Sequence, residues 1–269
     1  MIRKRLGELL FLALFGCGSP SAARHGETLA IADRVNVSKG SFLLYASPWS
    51  TFIAPQNAWT RGVEYEDSIV YSPRALPDGT TFFYRWPASG CSTGVCGYIA
   101  ASYGNYDGAS GPVPVRPRQI SDVTTFREDY AVAHAGAGMA GLLNEFYLTR
   151  SAGDMSTKIS EIGFFLHLTP EVVAFRASGD RLGSCTEPNG TIWSIVRNNG
   201  ATIYGYITLA APDNSDRLAR SIDIKAVLLC LVGLHAIPSS AWVNGLAMGV
   251  EPSRGAGSMT IQRWRVVFD

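Results

Sequence analysis

Ile159-Ser-Glu-Ile-Gly-Phe-Phe-Leu-His-Leu168 decides how this chain is read. Strand alternation puts Ile162, Phe164, Leu166 and Leu168 on one face and Glu161, Gly163, Phe165 and His167 on the other. The first face is suited to a core, and the second to the floor of a cleft holding one carboxylate. A second stretch, Trp242-Val-Asn-Gly-Leu-Ala-Met-Gly-Val-Glu-Pro252, repeats the pattern. Val243, Gly245, Ala247 and Gly249 share the face of Glu251, while Trp242, Leu246, Met248 and Val250 lie opposite. Small residues leading to a carboxylate leave space beside it, which a sugar ring would fit. Two carboxylates on neighbouring strands are the minimum machinery for cleaving a glycosidic bond.

Outward from these two stretches, short apolar or aromatic runs alternate with turns such as Pro77-Asp-Gly79, Asp107-Gly108, Pro188-Asn-Gly190 and Asn198-Asn-Gly200. Strands are expected over 41–45, 80–86, 97–103, 140–149, 159–168, 172–177, 191–197, 202–209, 242–250 and 258–268. Asp223 to Leu234 breaks the pattern as a helix, with Ser221 as its cap and Pro238 beyond its end. Many strands and one helix predict an all-β sandwich with the helix on its outer, convex side. The chain of 269 residues can form one such domain. Its net charge of +1, with acids and bases interspersed, gives no nucleic-acid footprint. No repeat or nucleotide-binding motif is present, and no metal or cofactor is implied.

The N-terminus reads as an export signal over residues 1–23, with a basic Met1–Arg5 and an apolar Leu9–Phe15 too short to span a bilayer. Leu14-Phe-Gly-Cys17 resembles a bacterial lipobox, which would lipidate Cys17 and attach the protein to the outer membrane. Cleavage after Ser21-Ala-Ala23 would instead give a freely secreted protein, and both readings stand. Residues 24–40 are expected to be flexible linker, and 41–269 the domain. Cys91-Ser-Thr-Gly-Val-Cys96 could close as a local disulfide in an oxidising compartment. Cys185 and Cys230 could pair as well, although the apolar, helical setting of Cys230 favours a free buried thiol.

Taken together, the order and spacing of these segments resemble glycoside hydrolase family 12, whose members are compact jelly-roll endoglucanases and xyloglucanases. Ser160-Glu-Ile-Gly-Phe-Phe-Leu166 is similar to that family's nucleophile strand, Tyr-Glu-Leu-Met-Ile-Trp-Leu. Met248-Gly-Val-Glu-Pro252 matches its Phe-Gly-Thr-Glu-Pro, and Ile222-Asp-Ile-Lys-Ala-Val227 its Gly-Asp-Val-Lys-x-Phe helix. Met259-Thr-Ile-Gln-Arg-Trp264 resembles the closing strand, Asn144-Glu-Phe-Tyr147 the Tyr-Asp-Leu-Phe strand, and Asn57-Ala-Trp59 an N-terminal Asn-x-Trp. The resemblance spans 41–269 and is closest from residue 140 onward.

The resemblance implies a concanavalin-like β-jelly roll of two antiparallel sheets. It also implies retaining, endo-acting hydrolysis of β-1,4-glucan (cellulose-like, mixed-linkage or xyloglucan chains) in an open cleft, by a protein expected to be a monomer. Glu161 would be the nucleophile and Glu251 the acid/base. Glu145 stands where the family has an aspartate that hydrogen-bonds the nucleophile, and strand alternation puts it on one face with Leu143 and Tyr147, so that it could point into the cleft. Asn57, Trp59, Trp86 and Phe165 are candidate sugar contacts, with core packing an equal reading for Trp59 and a stronger one for Trp86. Cys91 and Cys96 would form a disulfide seen among bacterial members. The family's Met and Trp after the nucleophile are Gly163 and Phe165 here, its aspartate is Glu145, and the aromatic after Glu-Pro is Ser253. Because each change reshapes a sugar contact, two further readings are kept: a non-catalytic carbohydrate-binding protein, and a glycosidase or transglycosylase for another polysaccharide.

Overall fold

The computed structural model describes residues 36–48, 59–92, 94–107 and 115–269, and the backbone of 29–32. Sixteen strands form: β1 (Leu29–Ala32), β2 (Val37–Lys39), β3 (Phe42–Ser47), β4 (Glu66–Tyr71), β5 (Thr80–Trp86), β6 (Tyr98–Gly104), β7 (Arg118–Gln119), β8 (Phe126–Gly136), β9 (Met139–Thr149), β10 (Lys158–His167), β11 (Asp180–Thr186), β12 (Ile192–Asn198), β13 (Tyr206–Ala210), β14 (Ala219–Asp223), β15 (Trp242–Val243) and β16 (Gly245–Phe268). Helix α1 (Pro170–Ala177) follows β10, and helix α2 (Ile224–Gly233) follows β14. The stretch read as linker thus contributes β1 and β2.

One sheet runs β2-β3-β6-β16-β9-β10-β13-β12-β11. The other runs β1-β4-β5-β16-β8-β14. Strand β16 serves both: residues 245–254 pair in the first sheet and 255–268 in the second. The ladder slips between Pro252 and Arg254, and Gly255 takes φ +73°, a conformation open to glycine at little cost. The turn from one sheet to the other is made there.

Between the sheets lies the main core. Ile162, Phe164 and Leu166 of β10 and Leu246, Met248 and Val250 of β16 meet Trp193, Ile195 and Trp264 in it. The outer face of the longer sheet carries a second cluster, with Leu143, Tyr147, Phe165, Tyr206 and Ala247. The alternation read in β9, in β10 as far as Leu166 and in most of β16 therefore holds; past the bulge between Phe165 and His167, Leu168 packs against the outer cluster instead of the core. It also fails at Val243, which is buried in the main core rather than on the face of Glu251. Asn244 interrupts the strand there: its Nδ2 donates to Thr149 Oγ1 at 3.0 Å and its Oδ1 accepts from Gly153 N at 2.7 Å. The break between β15 and β16 shifts the parity.

Three further expectations change. Residues 172–177 form a helix rather than a strand. Thr169 Oγ1 accepts from Val172 N at 3.3 Å as N-cap, and Pro170 sits where its fixed φ starts a helix without losing a bond. These local signals outweigh the β preference of Val172 and Val173. Helix α2 is capped by Asp223, whose Oδ1 accepts from Ala226 N at 3.0 Å, and not by Ser221, which lies in β14. Its Ile224, Val227, Leu228 and Leu231 join the core behind the longer sheet. Cys230 of α2 is bonded to Cys185 of β11, so the thiol expected to be free is a disulfide.

Candidate active site

Strand β9 lies between β10 and β16, and its register places the carboxylates. Glu145 is opposite Gly163 on one side and Ala247 on the other. Glu161 is opposite Tyr147, and Glu251 is opposite Gly141. All three glutamates are buried, at 1%, 6% and 8% exposure for Glu145, Glu161 and Glu251. Glu161 and Glu251 line a single cavity of about 1030 Å³ on the outer face of the longer sheet.

Tyrosines build most of the wall. Tyr45, Tyr98, Tyr106, Tyr147, Tyr204 and Tyr206 all line the cavity. Tyr45 stacks on Tyr106 at 5.9 Å, and Tyr106 meets Tyr147 at 5.2 Å between centroids. Such rings offer a flat apolar face and a polar rim, which suits a sugar. Two tyrosines also hold Glu145: Tyr106 Oη donates to its Oε1, and Tyr206 Oη to its Oε2 at 3.1 Å. Lys158 lies 3.8 Å from the centroid of the Tyr147 ring and pairs with Asp107.

Electrostatics separate the three acids. Burial raises Glu145 to about 7, opposed by hydrogen bonds from Tyr106, Tyr206 and Glu161. Burial also pushes Glu161 well up, helped by the charges of Glu145 and Glu251 and opposed by a hydrogen bond from Tyr147 and by Lys158. Glu251 is pushed well up by burial and by Glu145, and among the described residues no hydrogen bond opposes this. All three carboxyls are thus raised and interacting, and Glu145 and Glu161 differ from Glu251 in having hydrogen bonds that oppose the rise.

The space beside Glu251 differs from the sequence reading. A Cβ on Gly249 would lie 2.4 Å from Ile99 O and 2.7 Å from Tyr98 Cε2, so the glycine admits the neighbouring strand and ring rather than a ligand. Gly163 is likewise filled, since its Cβ would lie 2.3 Å from Tyr206 Oη. The side chain lost at Gly163 relative to the family pattern is replaced by the ring of Tyr206, which crosses the glycine to reach Glu145.

Of the other candidates, Phe165 lines the cavity, as does Ser253. Trp86 does not: it is buried in the other sheet, its Nε1 donating to Asp67 Oδ1 at 2.9 Å and its ring stacked 4.6 Å from Tyr65. Trp59 packs against Trp86 at 5.4 Å and is also away from the cavity. Both belong to the packing of β4 and β5. Cys91 and Cys96 are bonded, and Gly94 and Val95 of their loop line the cavity. His167 turns from the cavity to pair with Asp216 at 3.0 Å. Asn57 and Cys17 lie outside the described residues. Among the described residues, no cluster of three His, Cys, Asp or Glu is placed to hold a metal ion. Apart from Tyr147, recognised as sharing the face of Glu145, sequence reasoning missed the tyrosines; the Tyr204/Tyr206 spacing of two was the available signal.

Solved structures with the same fold are numerous. The chain superimposes on the endoglucanase 3 from family GH12 of Trichoderma harzianum with a TM-score of 0.69 at 17% identity, covering 92% of this chain and 100% of that one. The fold is that of glycoside hydrolase family 12. A family 12 xyloglucanase from Bacillus licheniformis gives a TM-score of 0.71 at 12% identity, covering 91% of this chain and 100% of that one. The catalytic domain of Humicola grisea Cel12A, in complex with a thio cellotetraose, gives 0.66 at 16% identity, covering 90% and 99%. No family sequence model and no curated protein sequence matches the chain. The family 12 fold is thus shared while little of the sequence is.

Proposed function

We propose that the protein is a retaining hydrolase of β-1,4-glucan chains. The observation that carries this reading is a pair of buried glutamates, Glu161 and Glu251, lining one tyrosine-rich cavity, with Glu145 buried on the strand between them. Glu161 attacks the anomeric carbon while Glu251 protonates the leaving glycosidic oxygen, giving a glycosyl-enzyme and a free chain end. Glu251 then takes a proton from water, whose oxygen displaces Glu161 and restores both groups. The environments support these roles: Glu161 is helped by Tyr147 and Lys158, whereas Glu251 has no such help among the described residues. Glu145 positions Glu161 by hydrogen bond and gains its own rigidity from Tyr106 and Tyr206. The solved structures with this fold are described as endoglucanases and xyloglucanases, which supports a glucan as substrate. An exported location agrees with two disulfides in the described domain.

The test is reducing-end release from carboxymethylcellulose, barley β-glucan and tamarind xyloglucan, with Glu161→Gln and Glu251→Gln as controls. Each variant should lose on the order of 10³-fold or more, as expected for members of one catalytic unit. A folded wild-type protein that cleaves none of the three would refute hydrolysis and leave a carbohydrate-binding role.

A further inference from the structure

Next to the catalytic cavity lies a second hollow that the proposed reaction does not use. It holds about 570 Å³ and is lined by Ile159 and Ser160 of β10, Arg150 just past β9, Arg197 near the end of β12, Tyr204 before β13 and the segment that follows α2. The two hollows share Tyr204 as a wall, and Ser160 of the second is followed in the chain by Glu161 of the first. Tyr204 meets the ring of Tyr147 edge-on at 5.7 Å and is hydrogen-bonded to it, and Tyr147 is the residue that holds Glu161.

The lining brings two guanidinium groups together and includes no carboxylate. Asn199 donates from Nδ2 to Asp180 Oδ2 at 2.9 Å, but Asp180 does not line the hollow. Arg197 is held in place, its Nη2 donating to Ala236 O at 2.6 Å. Arg150 is exposed, and its side chain has no ion pair or hydrogen bond among the described residues. Two cations at one hollow repel each other, and an anion between them relieves that. The planar guanidinium fork fits a carboxylate, with which it forms paired hydrogen bonds. Tyr204 and Ser160 add an aromatic wall and a hydroxyl, so the hollow suits a sugar that carries a carboxylate. Its volume lies within the roughly 300–1,000 Å³ of small-ligand pockets.

Position relates this hollow to the substrate. The main cavity crosses the longer sheet from Tyr45 on β3, past Glu251 and Glu161, to Tyr206 on β13. A chain lying along it runs across the strands, and the arginine hollow sits at the strand ends on one flank. In a β-1,4-linked chain successive rings turn their 6-positions to alternate sides, so every second branch is directed toward that flank.

We propose that this hollow is a lateral subsite for a hexuronate, and that the substrate is a glucan whose side branches end in a carboxylated sugar. The inference rests on the reading of the main cavity as a glucan site. The branch leaves the main chain beside Tyr204, and its carboxylate pairs with Arg150 and Arg197.

The experiment compares tamarind xyloglucan, neutral or with its terminal galactoses oxidised to galacturonate, with unbranched barley β-glucan and with polygalacturonate, which lacks the glucan backbone. Binding is read as retardation of Glu161→Gln in native gels containing each polymer, and turnover as kcat/KM of the wild type. Oxidation of xyloglucan should raise both by about tenfold or more, the worth of one charge-assisted hydrogen-bonded pair. Arg150→Gln, a change at an exposed side chain, should remove most of that gain, and Arg150→Lys should restore part of it. No gain on oxidation, or a gain that survives Arg150→Gln, would overturn the proposal, as would retention by β-glucan alone. Polygalacturonate held as tightly as oxidised xyloglucan would mean a site for separate acidic chains and overturn the lateral branch. An Arg150-dependent gain in binding with no hydrolysis would sustain the subsite and refute the hydrolase reading. Failure of every polymer to be bound or cut would refute both.

Discussion

Replacing Gly163 by alanine should unseat Tyr206 and, through it, Glu145. The new Cβ would lie 2.3 Å from Tyr206 Oη and 2.9 Å from Cε2 and Cζ, well inside van der Waals contact. Lateral escape is limited, because the ring sits 6.5 Å from Phe165 and 6.2 Å from Phe175. The side chain must swing toward the cavity, which breaks its 3.1 Å bond to Glu145 Oε2. Overpacking costs about 1–3 kcal/mol, and a buried carboxylate oxygen left without its donor costs about 1–3 kcal/mol more. Alanine is favoured over glycine in a strand by roughly 0.5–1 kcal/mol, which offsets a little. The net loss is about 3 kcal/mol, or roughly 6–12 °C in Tm for a domain of this size. Tyr206→Phe alone should cost about 1–3 kcal/mol, since it removes the same hydrogen bond. The double variant should be less unstable than the sum, because both changes break one bond. Urea denaturation of the four proteins at pH 8, where Glu145 is charged, supplies the cycle. Turnover of Gly163→Ala should also fall, by about tenfold or more, as a displaced ring obstructs the cavity. If Gly163→Ala lies within about 0.5 kcal/mol of wild type, or if the two substitutions are additive, then Gly163 is not the seat of Tyr206 and the argument is wrong.

Three other outcomes are expected. Glu128 is buried at 1% exposure, accepts from Trp264 Nε1 at 2.9 Å and from Asn144 Nδ2, and is raised by desolvation to about 7. A carboxyl raised on folding favours the native state fully below its unfolded value and loses that contribution as pH climbs to the folded value, here between about 4.5 and 7. Glu128→Gln should therefore gain about 3 kcal/mol relative to wild type between pH 4.5 and 8, and its new amide can donate to Asn144 Oδ1, which is buried without a partner, once that amide turns over. Parallel pH–stability curves for the two proteins would refute this. Glu145→Gln removes a charge that raises both Glu161 and Glu251, so both limbs of the pH–activity profile should move to lower pH; a profile that only shrinks would show that Glu145 does not tune them. Cys185 and Cys230 are 45 residues apart, so Cys185→Ser with Cys230→Ser should destabilise by about 4 kcal/mol, against about 2 kcal/mol for the pair separated by 5, Cys91 and Cys96. Equal losses in guanidinium titrations would mean that chain entropy does not set the difference.

Much of the fold was legible because strand alternation is a local property. A residue's side of the sheet depends on its neighbours in sequence, so the core and cleft faces of β9, β10 up to its bulge and most of β16 could be read directly. The segments that went unread were those whose local signals are weak or conflicting. Strand β8 is long but rich in alanine and charge, and it is held by pairing on both edges with β14 and β16. Helix α1 was read as strand from Val172 and Val173, although the Thr169-Pro170 start was there to see.

What the chain order alone determined was which side chains point out of the core, and that included all three glutamates. What only the tertiary structure decided was what those side chains meet. That β9 lies between β10 and β16 brings Glu145 within reach of Glu161 and Glu251. The crossing of Tyr106 and Tyr206 onto Glu145, the withdrawal of Trp86 into the other sheet, the Cys185–Cys230 bond and the packing of α1 on β12 and β13 are likewise contacts between distant segments. Local patterns fix a direction for each side chain, but strand order and register, set by packing of the whole core, choose its partner.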